Sequence, residues 1–196
     1  MRNLKRTLSL LLTAAMLVGM MVVGASAAES KNFTDSSEIQ NNEAVDVMVG
    51  LGVLEGTDKG AFNPTGILTR EQAAKIICYM LLGSSGAEKL TTNTSTFTDV
   101  AAGRWSAGYI AYCANLDILA GTGNGAFNPE GELTGLAFGK MLLVALGYDP
   151  DIENYVGKDW ATNVASDMVD ANIAPDGVVL SESLSRDNAA QMAFQT

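Results

Sequence analysis

Arg70 and Arg186 each follow a hydroxyl residue, Thr69 and Ser185, where a polar loop gives way to a run with helical apolar spacing. Thr69 and Ser185 are read as helix N-caps. An arginine there offers a planar fork of N–H donors beside the positive end of the helix dipole, an arrangement suited to a carboxylate. Trp105 and Trp160 offer flat faces that could stack on a pyranose ring or anchor a helix junction. Asp35 and Asp99 could accept hydrogen bonds from hydroxyl groups or cap a following helix. For Asp35, with Glu38 three residues on, helix capping is the favoured role.

Other chemistry is excluded by composition. The chain has no histidine, which removes Ser-His and Cys-His nucleophile pairs and the common zinc sites. Its two cysteines, Cys78 and Cys113, lie in apolar helix-like stretches and suit either small buried side chains or a bridge. The loops TDKGAFN and TGNGAFN carry oxygen ligands but lack the spacing of a calcium loop. Acidic residues are plentiful enough for a carboxylate-pair glycosidase, yet no pair lies in a motif that would mark one. No catalytic residue, metal or cofactor is expected.

The opening residues combine a basic stretch (MRNLKR), an apolar run and a small-residue site (ASA), the pattern of a secretory signal peptide over 1–27. Its removal takes Arg2, Lys5 and Arg6 and no acid, leaving 9 basic and 22 acidic side chains and a net charge of −13. Such a chain repels nucleic acid at long range, so any anionic ligand must be held locally. Stable membrane insertion after cleavage is not expected.

The positioning elements emerge from an internal repeat. GAFNP stands at 60–64 and again at 125–129. The match extends to residues 50–77 and 115–142, with FTD at 33–35 answered by FTDV at 97–100 and Lys75 answered by Lys140. A third, diverged copy places Trp160 under Trp105 and Arg186 under Arg70, with APDGVVLSES replacing the FNP loop. The expected division is 28–83 for unit 1, 84–96 as linker, 97–147 for unit 2 and 148–196 for a degenerate unit 3.

Each unit reads as two helices around a long turn. Ala44, Val45, Met48, Val49 and Gly52 form an apolar face in the first helix of unit 1, and Tyr109, Ile110, Cys113, Ala114 and Asp117 answer them in unit 2. The second helix of unit 1 starts in a Thr69/Gln72 capping box and buries Ala73, Ile77 and Leu81. Phe62 and Phe127, the large apolar residues of the glycine-rich loops, are expected to plug the gap between the helices of their units. One helix pair cannot bury its own face, so the units must pack around a shared axis.

The order F-x-D, tryptophan, aliphatic helix, G-x-x-x-G-x-F-x-P and [IL]-T-R-E resembles the S-layer homology (SLH) domain of bacterial cell-envelope proteins, from Phe33 to the end of the chain. The resemblance implies an all-α fold of three helix-loop-helix repeats packed as a pseudo-threefold bundle. It also implies non-covalent anchoring to secondary cell-wall polysaccharide, often pyruvylated, in grooves between units, with other S-layer subunits as further partners. The location it implies is a Gram-positive-type wall or S-layer.

The same resemblance assigns the binding residues as Arg70, Arg186, Trp105, Trp160, Asp35, Asp99, Gly56, Thr57, Gly121 and Thr122. Departures from the pattern limit the expectation to one groove, or two at most, with the Arg70 groove favoured. Unit 2 has Gly135 and Leu136 where the arginine and glutamate should stand, and unit 1 has Gln40 at the tryptophan position. The alternative reading is a structural, self-associating envelope protein with vestigial grooves.

Overall fold

The computed structural model describes residues 29–90 and 97–196, so the leader-like segment lies outside the described residues. The described chain is all-α: after two short 3-10 turns come six helices, and no strand occurs among the described residues. They are α1 (Asn42–Gly50), α2 (Arg70–Ala87), α3 (Ala107–Asn115), α4 (Gly135–Ala145), α5 (Trp160–Asp170) and α6 (Arg186–Phe194). None is long and apolar enough to cross a membrane.

The second helix of each pair is capped by a hydroxyl side chain, at Thr69 and Ser185 as the sequence indicates and at Thr134 besides. Thr69 accepts from the Gln72 backbone N–H, and the Gln72 side chain returns the bond to complete the box. Thr134 accepts from Ala137 N–H, and Ser185 accepts from Asn188 N–H. Helix α2 kinks at Gly83, whose φ of 66° is in the left-handed region.

The expected apolar faces hold at their centres and fail at their ends. Ala44, Val45, Met48, Ile110 and Cys113 are buried. Gly52 and Asp117, however, lie past the helix ends with φ of 71° and 56°, where they turn the chain instead of lining the core. Ala73 and Ile77 are fully buried, whereas Leu81, next to the kink, is exposed.

The pairs pack on one another in order: α2 against α3, α4 against α5, and α6 against α1. Three leucines at matching positions join them. Leu68 N–H donates to Leu184 O, Leu184 N–H to Leu133 O, and Leu133 N–H to Leu68 O, at 2.8–3.0 Å. All three side chains are buried, so this closed ring satisfies backbone groups that water cannot reach.

A second set of backbone bonds seats each later helix on another pair's loop. Arg70 N–H and Glu71 N–H donate to Gly131 O and Pro129 O, and Arg186 N–H and Asp187 N–H donate to Gly66 O and Pro64 O. Gly135 N–H and Leu136 N–H donate to Glu182 O and Leu180 O. Leu180 thus takes the position of the missing proline. The segment without FNP still makes the turn, because the docking uses a carbonyl that any residue supplies.

Candidate functional site: two grooves between helix pairs

The GAFNP loops are held by the aspartates. Asp35 accepts from Phe62 N–H (2.8 Å) and Asn63 N–H (2.7 Å), and Asp99 accepts from Phe127 N–H (2.8 Å) and Asn128 N–H (2.6 Å). The helix-capping role expected of Asp35 is therefore not the one it plays, and its side chain makes no cap bond. Bonds from Phe127 and Asn128 N–H hold the Asp99 carboxyl below its usual range; at Asp35, partial burial opposes the same effect but is outweighed.

The loop's sharp path rests on Asn63 and Asn128, both near φ 58–59°, in the left-handed region that asparagine tolerates. Phe62 and Phe127 are buried as plugs, their ring centroids 5.5 and 5.3 Å from Phe33 and Phe97. The Gly-Thr step serves the same loop. A Cβ at Gly56 would lie 2.6 Å from the Phe33 ring, and one at Gly121 would lie 2.6 Å from Ala126 O. Thr57 and Thr122 N–H close the loop by donating to Ala61 O and Ala126 O.

Each arginine crosses to another pair's loop. Arg70 donates from Nε to Phe127 O (2.8 Å) and from Nη2 to Ala120 O (2.7 Å), with its guanidinium 4.5 Å from the centroid of Phe127. Arg186 donates from Nε to Phe62 O (3.0 Å) and from Nη2 to Glu55 O (2.9 Å), with its guanidinium 5.0 Å from Phe62. Neither is a free first-turn side chain. Burial lowers the pKa of both guanidiniums, opposed by Asp99 for Arg70 and by Asp35 for Arg186. Two of five N–H donors are spent on carbonyls in each case, leaving the others for a ligand.

Two grooves result, each drawing residues from all three helix pairs. The first, about 270 Å³, brings together Gly56, Thr57 and Asn63 of the first loop, Gln72 and Lys75 of α2, Trp105 and Arg186. The second, about 390 Å³, brings together Ala120 and Gly121 of the second loop, Arg70, Lys140 of α4, Trp160, Tyr155 and Gly157. Arg70 thus shares a groove with Trp160 and Gly121, while Arg186 shares one with Trp105 and Gly56. Asp35, Asp99 and Thr122 do not line either groove.

The two tryptophans differ in exposure: Trp105 is 54% exposed, its ring 6.3 Å from Tyr109, and Trp160 is partly buried against the core. Lys75 and Lys140 are the groove residues that the sequence reading left without a role. The signal was available, since both interrupt an apolar helix at the same repeat position. Lys75 Nζ lies 2.9 Å from Glu55 Oε2 and 5.1 Å from the Tyr79 ring centroid. Lys140 Nζ donates to Tyr155 O at 2.6 Å, and burial lowers its pKa against the pull of Asp151.

The acid following each arginine orients the neighbouring helix start. Glu71 accepts from Arg104 Nε and Nη2 at 2.7 and 2.9 Å and from Ser106 Oγ at 2.5 Å, directly beside Trp105. Burial alone would raise the Glu71 carboxyl, but the bonds from Arg104 and Ser106 outweigh it and hold the pKa low. Asp187 does the same for Asn41, accepting from its N–H and Nδ2 at 3.3 and 2.8 Å. At the remaining junction Leu136 stands in the acid's place and Ala161 in the place of Ser106 and Asn41.

A third depression contains Gln40, Asn41, Asn188 and Gln191. Gln40 stands at the tryptophan position and Gln191 at the lysine position, and Gly135 fills the arginine position. A Cβ at Gly135 would lie 3.0 Å from Leu180 Cα, so the segment that replaces FNP also closes over this site.

Comparison with known proteins bears on these grooves. The S-layer homology domain model matches residues 32–74 and 96–138. A "Surface layer protein" of Brevibacillus choshinensis is 27% identical over 150 residues, covering 76% of this chain and 13% of its own length. The "S-layer protein sap" of Bacillus anthracis is 30% identical over 149 residues, covering 76% of this chain and 17% of its own length. A protein of Bacillus anthracis named as an uncharacterized cell wall amidase is 25% identical over 210 residues, covering 99% of this chain and 37% of its own length. The chain spans less than two fifths of each of these relatives. It carries two S-layer homology repeats, at residues 32–74 and 96–138.

Proposed function

We propose that the chain is a wall-anchoring module that holds acidic secondary cell-wall polysaccharide in its two cationic grooves, at the surface of a Gram-positive-type bacterium. The observation that carries this reading is the doubled site: the same arginine, lysine, tryptophan and glycine-rich loop edge converge twice, each time from all three helix pairs. A guanidinium with spare donors and an ammonium would neutralise a carboxylate such as a pyruvyl ketal. The indole face would stack on the adjoining sugar ring. The relatives' names, two surface-layer proteins and a wall amidase, support a module that recurs beside different partners.

The third helix pair is, in this reading, a third unit of the same kind, and the bundle is pseudo-threefold. The Leu68, Leu184 and Leu133 ring and the cyclic seating of each later helix support that arrangement. The module binds and does not catalyse.

Co-sedimentation tests the reading. The full chain is expected to pellet with purified wall sacculi and to stay in solution when the secondary polymer has been stripped from them. Equal pelleting with stripped sacculi, or large particles of the chain formed without any wall, would contradict it and favour a self-associating structural protein.

A further inference from the structure

Cys78 on α2 and Cys113 on α3 face each other across the junction of the first two helix pairs, Sγ to Sγ 3.6 Å, both fully buried. Neither lines a groove, and neither is bonded to the other in this structure. Their remaining polar contacts are weak ones, from Cys78 Sγ to Tyr109 O at 3.6 Å and from Cys113 Sγ to Ala74 O at 3.7 Å.

The repeat itself supplies a comparison. Leu143 and Met168 stand at the matching positions of the second junction, and Phe194 and Met48 at those of the third. Two of the three junctions thus use large apolar pairs. At the second, Met168 fills its space so fully that a Cβ at Gly139 would lie 2.1 Å from its Sδ, and Gly139 answers Ala74. The first junction alone carries two small thiols, and they are the only cysteines in the chain. Two cysteines at partnered positions, with none elsewhere, fit a covalent cross-link better than a chance pair of small core residues.

We propose that Cys78 and Cys113 are the two halves of a disulfide that ties the first helix pair to the second, formed by exchange with a low-molecular-weight disulfide. The thiolate of one cysteine attacks the small disulfide, forming a mixed disulfide and releasing one small thiol. The second thiolate attacks the protein sulfur of the mixed disulfide and releases the other small thiol. The two cysteines lose two electrons and two protons, and the small disulfide takes them up as two thiols. Burial of both sulfurs places this exchange during folding, before α2 and α3 close, and afterwards shields the bond from reductant.

The test uses the full chain, unfolded in denaturant with reductant and refolded in oxidised and reduced glutathione. After refolding, the chain is denatured without reductant and treated with an alkylating agent, and its intact mass is measured. The expected product takes up no alkyl group and is lighter than the reduced chain by two hydrogens. Two alkyl groups, or a retained glutathione on one cysteine, would overturn the proposal.

A second readout is thermal. Reductant present during unfolding is expected to lower the midpoint of the wild-type chain by about 5 °C. It should leave unmoved a Cys78→Ala/Cys113→Ala variant, which removes both sulfurs without adding bulk beside Ala74. A wild-type midpoint equally indifferent to reductant would also overturn the proposal.

Discussion

At the scale of single residues, the arginines brace another pair's loop, and the proposed ligand contact would be a second duty. Arg70 bonds two carbonyls of the second loop and would also meet ligand, so Arg70→Ala should cost about 2 kcal/mol of stability as well as wall affinity. Denaturant unfolding and co-sedimentation on the same preparation separate the two losses. Trp105 is the cleaner probe, because it is more than half exposed. Trp105→Ala should weaken wall binding severalfold while leaving the unfolding midpoint nearly unchanged; unaltered binding would remove Trp105 from the site. Glu71 is buried under Arg104 and Ser106, and Glu71→Ala should destabilise by about 2 kcal/mol by leaving Ser106 Oγ and Arg104 Nε without their acceptor, while Arg104 Nη2 keeps Glu130 at 2.8 Å. The sequence showed the arginines and tryptophans but not their duties. TRE reads as a local motif, whereas its arginine and its acid both act on another helix pair.

At the scale of elements, each GAFNP loop is a rigid edge made by one carboxylate, one buried ring and a left-handed asparagine. The carboxylates make that edge sensitive to acid. Asp35 and Asp99 have pKa values lowered in the fold, so their stabilisation is complete above the unfolded carboxyl value near 4 and is lost as pH falls through the folded values. Glu71 acts in the same direction. Asp187 acts oppositely: burial raises its pKa despite the bonds from Asn41, so its protonation favours the fold as pH falls. With three groups against one, the thermal midpoint is expected to drop steeply below about pH 4. Asp99→Asn should flatten that drop, and an unchanged acid profile in that variant would show that the loop is held by other means. Capping and plugging were legible in sequence because they depend on neighbours within a few residues. Asp35 resembles a cap in sequence for the opposite reason: its actual partners lie 27 and 28 residues away.

At the scale of the whole molecule, repetition explains both the fold and the uneven distribution of its grooves. The repeat made three helix pairs visible in sequence, and the leucine ring that joins them could not be seen there, because three backbone bonds leave no pattern in side chains. Leu133→Ala, at the ring and in the core, should cost about 3 kcal/mol in a single cooperative transition. Separate melting of the pairs would contradict a shared core. Groove competence follows which pair supplies which residue. Gly135 leaves the depression on the third pair's loop, rather than the second's, without an arginine, because each arginine reaches across to another pair. Two arginine-lined grooves therefore remain in a chain of net charge −10, and in the proposed reading their local cations act on a ligand at short range against the surrounding field.

Two grooves, and not one or three, are proposed to hold the wall polymer. Titration calorimetry of the full chain with short fragments of polysaccharide released from sacculi tests this directly. Two fragments are expected to bind per chain, falling to one in Trp105→Ala and weakening as salt is raised. No measurable binding, or a stoichiometry untouched by Trp105→Ala, would contradict it.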